Sequence, residues 1–148
     1  MVLISVREVV DILLMTVVIG YIFMGSLRQP RAFGGASRGG FDWGAFLFAV
    51  KIAAPGVILH ELAHKFVAVA FGLSAVFKAW FFGLFIGVVL KLLHSPLILL
   101  APGFVEIGPS ATPLVMSLVA FAGPLTNLVL FFVAKWVVES RGVRTGRQ

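Results

Sequence analysis

Two histidines and a glutamate interrupt a long apolar run between positions 43 and 71. Residues 60–64 have the pattern H-E-x-x-H, and on a helix His60 and His64 share one face and can bind one zinc ion. Glu61 lies beside them, where it can take a proton from a water on the metal. Because hydrocarbon does not solvate ionisable groups, a metal site explains the cluster better than two buried histidines that bond neighbouring helices.

The composition indicates that the solvent of this chain is a lipid bilayer. Of its 148 residues 60% are hydrophobic and only 12% are charged, with a mean hydropathy of +1.08. A soluble domain of this size could not bury so much apolar surface. The net charge of +6 comes from arginines beside apolar runs, which favours contact with lipid headgroups and not with nucleic acid. Without cysteine, any metal must be held by nitrogen or oxygen ligands.

The apolar runs predict an all-α polytopic membrane protein with about three transmembrane helices and a short membrane-embedded β-hairpin or re-entrant region. The whole chain, 1–148, is expected to form one membrane domain. Its predicted segments are a first span at 9–25, a basic Gly-rich loop at 26–42, a motif helix at 43–71, a broken region at 73–112, a last span at 114–138 and a basic tail at 139–148.

The motif helix carries its own boundary signals. Asp42 is a candidate N-cap, and Gly72 is expected to end the helix. A proline and a glycine at 55–56 are expected to kink or divide it. Lys65 directly follows the H-E-x-x-H motif and is expected either to reach towards the interface or to pair with a carboxylate.

The two segments after the motif helix are expected to cover it. Residues 97–101 and 104–107, joined by Pro102 and Gly103, predict a short hairpin. In the last span, Gly123 permits close approach of another helix and Pro124 removes one backbone donor. Asn127 is expected to bond the backbone freed by that proline, or to contribute to substrate binding.

Three motifs together resemble the site-2 proteases, a family of intramembrane zinc metalloproteases. They are the motif helix at 56–65, the short strand region at 101–107 and the small-residue motif at 122–127, in matching order and spacing. The resemblance implies hydrolysis of peptide bonds in or near transmembrane segments of membrane proteins, in a prokaryotic cell membrane. It also implies Zn²⁺ held by His60 and His64, with Glu61 as the catalytic base. A strand edge in the broken region could hold the unwound substrate.

The chain departs from this family in its third zinc ligand. The family takes an aspartate from a later core helix, and this sequence has no aspartate after Asp42. A catalytic zinc needs three protein ligands and an open position. The internal candidates are all poorly placed in the sequence: Asp42, His94, Glu106 and Glu139.

Three explanations of the missing ligand are open: truncation, a partner or a homo-oligomer that supplies it, and a degenerate relative. A degenerate relative would bind membrane helices without cleaving them. A third class of protein, a small metal-binding transporter or scaffold, is less favoured because no matching pair of broken helices is present.

Overall fold

The computed structural model describes residues 4–27, 41–95 and 102–140. These residues are mostly helical, as predicted, with a small two-stranded sheet. The elements in chain order are α1 (Val6–Phe23), α2 (Trp43–Ala70), β1 (Ala75–Ala79), α3 (Phe81–Leu92), β2 (Gly103–Ile107) and α4 (Pro113–Ser140).

Two of these helices, α2 and α4, are long and apolar enough to cross a membrane by length and composition. Each contains 28 residues, more than the roughly 20 that a bilayer requires. The first predicted span corresponds to α1, which is not one of these two helices because its 18 residues include three charged ones, Arg7, Glu8 and Asp11. A third span therefore stays a prediction.

The motif helix α2 begins and ends where its sequence signals predict. Asp42 is its N-cap and accepts a hydrogen bond from the Ala45 amide at 2.9 Å. Gly72, with φ +75°, follows the last turn in the left-handed conformation that glycine favours. Pro55 lies inside one helix, so the predicted division there is wrong. In apolar surroundings no water competes for the remaining helical hydrogen bonds, and one missing donor does not end the helix.

The sheet corrects the predicted hairpin. The partner of β2 is β1, which pairs with it antiparallel from Ala75 opposite Ile107 to Ala79 opposite Gly103. Pro102 accepts a hydrogen bond from the Trp80 amide at 2.9 Å, so it continues the pairing and does not form a turn. Residues 97–101, the other predicted arm, lie outside the described residues. The hairpin was predicted from local turn residues, whereas the real pairing spans the whole of α3.

The core lies against one face of this sheet, in two clusters. One cluster joins α1, α2, β1 and α3 through Met15, Ile19, Ala54, Phe77, Ala79 and Leu84. A smaller cluster joins the end of α2 to α4 through Ala68, Leu73, Ala75 and Val119. In α4 only Val119, Ala122 and Gly123 are buried, and all three belong to the segment that faces the motif. The rest of α4 presents large apolar side chains outward, as a lipid-facing helix would.

Candidate metal centre and adjoining groove

The two motif histidines point at one place on α4. His60 and His64 lie one turn apart on α2, with ring centroids 4.8 Å apart. A Cβ on Gly123 would lie 2.5 Å from Nε2 of His60 and would also overlap Nε2 of His64. Both nitrogens therefore face the same small space, which is open only because position 123 has no side chain. The predicted close approach at Gly123 is present, and the imidazoles are the groups that make it.

The other ring nitrogen of His64, Nδ1, carries a proton that points to a carbonyl oxygen. Its Nδ1 lies 2.6 Å from the carbonyl oxygen of Val119 on α4. A carbonyl can only accept, so Nδ1 donates, and Nε2 is left with a free lone pair. Metal-binding histidines commonly have this arrangement, in which a second group orients the ring and sets its tautomer. His64 is therefore suited to bind a metal through Nε2.

Asn127 contacts Nδ1 of His60, as the carbonyl of Val119 contacts Nδ1 of His64. Its carboxamide Nδ2 lies 3.0 Å from Nδ1 of His60. The expected contact with the backbone freed by Pro124 is therefore wrong, because the side chain reaches across to α2. For His60 to bind a metal through Nε2, its Nδ1 must carry the proton, and Asn127 must turn its carboxamide to present Oδ1. A direct substrate role for Asn127 stays a prediction.

Replacing Asn127 by leucine is expected to weaken zinc affinity by about 10- to 100-fold, the usual effect of losing a group that orients a metal-binding histidine. Asn127→Asp keeps an oxygen acceptor for Nδ1–H and is expected to retain near-normal affinity. Competition titration with a zinc-sensitive dye in detergent measures both variants. Equal affinities for the leucine and aspartate variants would contradict the orienting role.

Glu61 opens onto a groove beside the histidines. The groove has a volume of about 280 Å³. Its walls come from three elements, with Glu61 and His64 from α2, Gly103, Phe104, Val105 and Ile107 from β2, and Met116, Val119 and Ala120 from α4. Because Pro124 has no N–H, the carbonyl of Ala120 receives no helical hydrogen bond at this wall. The predicted base and one predicted ligand thus share a cavity large enough for a chain segment.

Among the residues that the structure describes, the strand along this groove has no strand partner on its second edge. In an antiparallel pair every second residue of a strand bonds its partner strand. The Gly108 amide donates to the Ser74 carbonyl and the Trp80 amide to the Pro102 carbonyl, both at 2.9 Å, and these bonds show which residues do so. Even-numbered residues of β2 therefore bond β1. Gly103, Val105 and Ile107 direct their N–H and C=O groups away from it, and all three line the groove. An extended peptide in the groove would meet backbone partners on one side and Glu61 on the other.

None of the proposed internal third ligands joins the two histidines. Asp42 caps α2, Glu106 pairs with Lys78, and Glu139 lies 3.9 Å from Lys135. His94 ends α3 beside a separate cavity. Within residues 4–27, 41–95 and 102–140 no group of three His, Cys, Asp or Glu could hold a metal. Two of the three protein ligands of a catalytic zinc therefore fit this site.

Lys65 is buried and pairs with the carboxylate of Glu8 on α1. Of the two alternatives for this lysine, pairing is the one that the structure shows. The buried carboxylates of α1 were not predicted as functional. Their positions at the start of an apolar helix, where charge is costly, were the available signal.

The comparisons with known proteins support one class. A curated relative from Methanocaldococcus jannaschii, named "putative zinc metalloprotease", is 35% identical over 130 residues. The match covers 87% of this chain and 61% of the relative, so the chain spans about three fifths of that protein's length. No family model matches the sequence, and no solved structure matches it. The chain is thus similar to part of a protein that is named as a zinc metalloprotease.

Proposed function

We propose that this chain is the core of an intramembrane zinc metalloprotease of the site-2 type, which hydrolyses peptide bonds in or near transmembrane segments. One observation carries the proposal: two imidazole Nε2 atoms converge above Gly123 while Glu61 opens onto the adjoining groove. The name of the archaeal relative supports the chemistry. The apolar character of α2 and α4 supports the location in a membrane.

His60 and His64 would hold the zinc ion through Nε2, with Nδ1 oriented by Asn127 and Val119. Zinc at this position would polarise the scissile carbonyl and acidify an attacking water. Glu61 takes the proton of that water as oxygen attacks the carbonyl carbon. It then passes the proton to the amide nitrogen as the C–N bond breaks, so that one water is consumed for each bond cleaved.

The open edge of β2 would hold the substrate. A transmembrane helix satisfies its own backbone hydrogen bonds, so its peptide bonds are inaccessible until it unwinds. Backbone groups of Gly103, Val105 and Ile107 can replace the lost helical bonds by adding the unwound segment as a strand. This pairing would bring the extended chain into the groove that Glu61 also lines.

The third zinc ligand would come from a second copy of this chain or from another protein segment. All three histidines and all six acidic residues of the sequence lie in the described part, and only two of them face the site. That count also favours a second candidate function. As a non-catalytic relative, the chain would bind extended or helical membrane segments in the same groove without cleaving them.

Metal content of the purified chain in detergent tests the proposal. Wild type is expected to hold about one zinc per chain when its site is complete, and the double variant His60→Ala/His64→Ala is expected to hold none. His94→Ala is the matched control, since this histidine lines a separate cavity. Zinc that is retained by the double variant would contradict the metal centre. Zinc that is absent from wild type even with zinc added would show that a second copy of this chain does not supply the third ligand.

A further inference from the structure

Two carboxylates of α1 close the outer edge of β1. Glu8 Oε1 accepts a hydrogen bond from the Phe77 amide at 2.8 Å, and Asp11 Oδ2 accepts one from the Ala79 amide at 3.3 Å. Both carboxylates are buried. These amides face away from β2, where a third strand would pair. Of the two strands described, β1 is therefore capped by side chains, while β2 keeps its edge along the groove.

Glu8 also reaches the motif helix. Its Oε1 forms an ion pair with Lys65, and the two side chains are only 4% and 2% exposed. Its other oxygen, Oε2, accepts from the Ser5 amide at 2.8 Å as part of the capping box that begins α1. One carboxylate thus contacts α1, α2 and β1 together.

A buried ion pair is a poor device for stability alone. Removing two charges from water costs free energy that their attraction only partly returns, and apolar replacements are often as stable or more so. Unlike apolar packing, however, an ion pair with hydrogen bonds requires a defined distance and orientation between the elements that it joins. Lys65 directly follows His64, and Phe77 lies in the strand that pairs with β2.

We propose that Glu8 is a positioning residue for the groove. Its carboxylate joins Lys65 of the motif helix to the Phe77 amide of β1, and so sets the position of the sheet relative to His64 and Glu61. The link itself is independent of zinc. Its consequence for peptide binding rests on the function proposed above, because it assumes that the edge of β2 receives the substrate.

A matched pair of double variants removes the ion pair of this link, and the two variants differ in whether the Phe77 amide keeps an acceptor. Glu8→Gln/Lys65→Met removes both charges and keeps a side-chain oxygen that can accept from the Phe77 amide. Glu8→Leu/Lys65→Met removes the same charges and that acceptor as well. Neither variant leaves an unpaired buried charge, which would be the main cause of misfolding in a single variant. The two zinc-facing histidines and their partners on α4 are untouched in both.

Amide exchange at Phe77 is the first measurement. Exchange in the leucine variant is expected to be about tenfold faster than in the glutamine variant, because a hydrogen bond is lost there. The glutamine variant is expected to stay close to wild type. Exchange at Ala79, which is held by Asp11, serves as an internal control. Equal protection of Phe77 in both variants would overturn the proposal.

The distance between the sheet and the motif helix is the second measurement. The chain contains no cysteine, so nitroxide labels can be placed at Leu47→Cys on α2 and Val76→Cys on β1, both exposed positions. Leu47 lies 18 residues before Lys65, about 27 Å along a helix, which suits pulsed dipolar spectroscopy. Both double variants lack the ion pair between Glu8 and Lys65, so both are expected to show a broader or shifted distance distribution than wild type, with the larger change in the leucine variant. Distributions identical to that of wild type in both variants would overturn the proposal.

Zinc content measured on the same samples separates this proposal from the proposed function. Normal zinc in both double variants, together with a sheet displaced relative to wild type, supports the positioning role. A chain that never binds zinc but shows the same displacement would overturn the protease and leave the link intact.

Discussion

Glu61→Gln is expected to lower the rate of peptide hydrolysis by about 10²- to 10⁴-fold while zinc content stays unchanged. Glutamine has nearly the same shape as glutamate but cannot take a proton from the attacking water. The three atoms nearest to a Cβ at Gly123 all belong to His60 and His64, so metal binding is not expected to depend on the charge of Glu61. The measurement pairs cleavage of a membrane-protein substrate in detergent or liposomes with metal analysis of the same sample.

Glu139→Gln is the matched control for this substitution. It removes the same charge from an exposed position at the far end of α4, where the partner is Lys135 one turn away. Such exposed pairs contribute little, so wild-type activity is expected. If Glu61→Gln cleaved as fast as this control, Glu61 would not be the base. If neither wild type nor variant cleaved although zinc was bound, the non-catalytic function would be favoured.

Gly123→Ala is expected to abolish zinc binding, with a loss of affinity of about 100-fold or more. The new Cβ would lie 2.5 Å from Nε2 and 2.7 Å from Cε1 of His60, closer than such atoms can approach. It would also collide with His64. The rings would have to turn away from each other, and α4 would have to withdraw from α2. Zinc titration and thermal unfolding of the metal-free and metal-bound protein measure the effect.

Gly56→Ala supplies the control on the same motif helix. A Cβ at position 56 meets no atom within 4 Å, so the substitution changes helix propensity without a collision. Alanine is favoured over glycine in a helix interior by about 1 kcal/mol, which is expected to stabilise this variant slightly. Gly123→Ala should gain the same intrinsic helix propensity, so a difference between the two variants reports the collision. Equal zinc affinity of the two variants would show that the space above Gly123 is not the metal position.

The motif residues were predictable because their chemistry is local. A single helical turn brings His60, Glu61 and His64 to one region, whatever the rest of the fold does. Gly123 was predictable as a point of close approach, since glycine in an apolar helix favours such contacts. That it faces the imidazoles, and that Asn127 reaches His60, follows from the relative rotation of α2 and α4, which one sequence does not determine.

The sheet was less predictable because its pairing is non-local. β1 has only five residues, and Lys78 within it weakens the apolar signal, although its alternating burial is typical of a strand. Its partner lies beyond the whole of α3, so turn residues near β2 did not point to it. The role of Glu8 and Asp11 depends on this sheet, so it could not be predicted before the sheet was known. Their burial becomes understandable only once the strand amides that they meet are in place.

Both groups that orient the two imidazoles, the Val119 carbonyl and Asn127, belong to α4. Most of this helix is otherwise turned outward, and only three of its residues are buried. Occupation of the metal centre and docking of α4 are therefore thermodynamically linked, and each should strengthen the other by the same factor. Zinc would hold α2 and α4 together in addition to its role in the reaction. Chelation should loosen α4 first and leave assembled the larger cluster of α1, α2, β1 and α3, to which α4 contributes no residue.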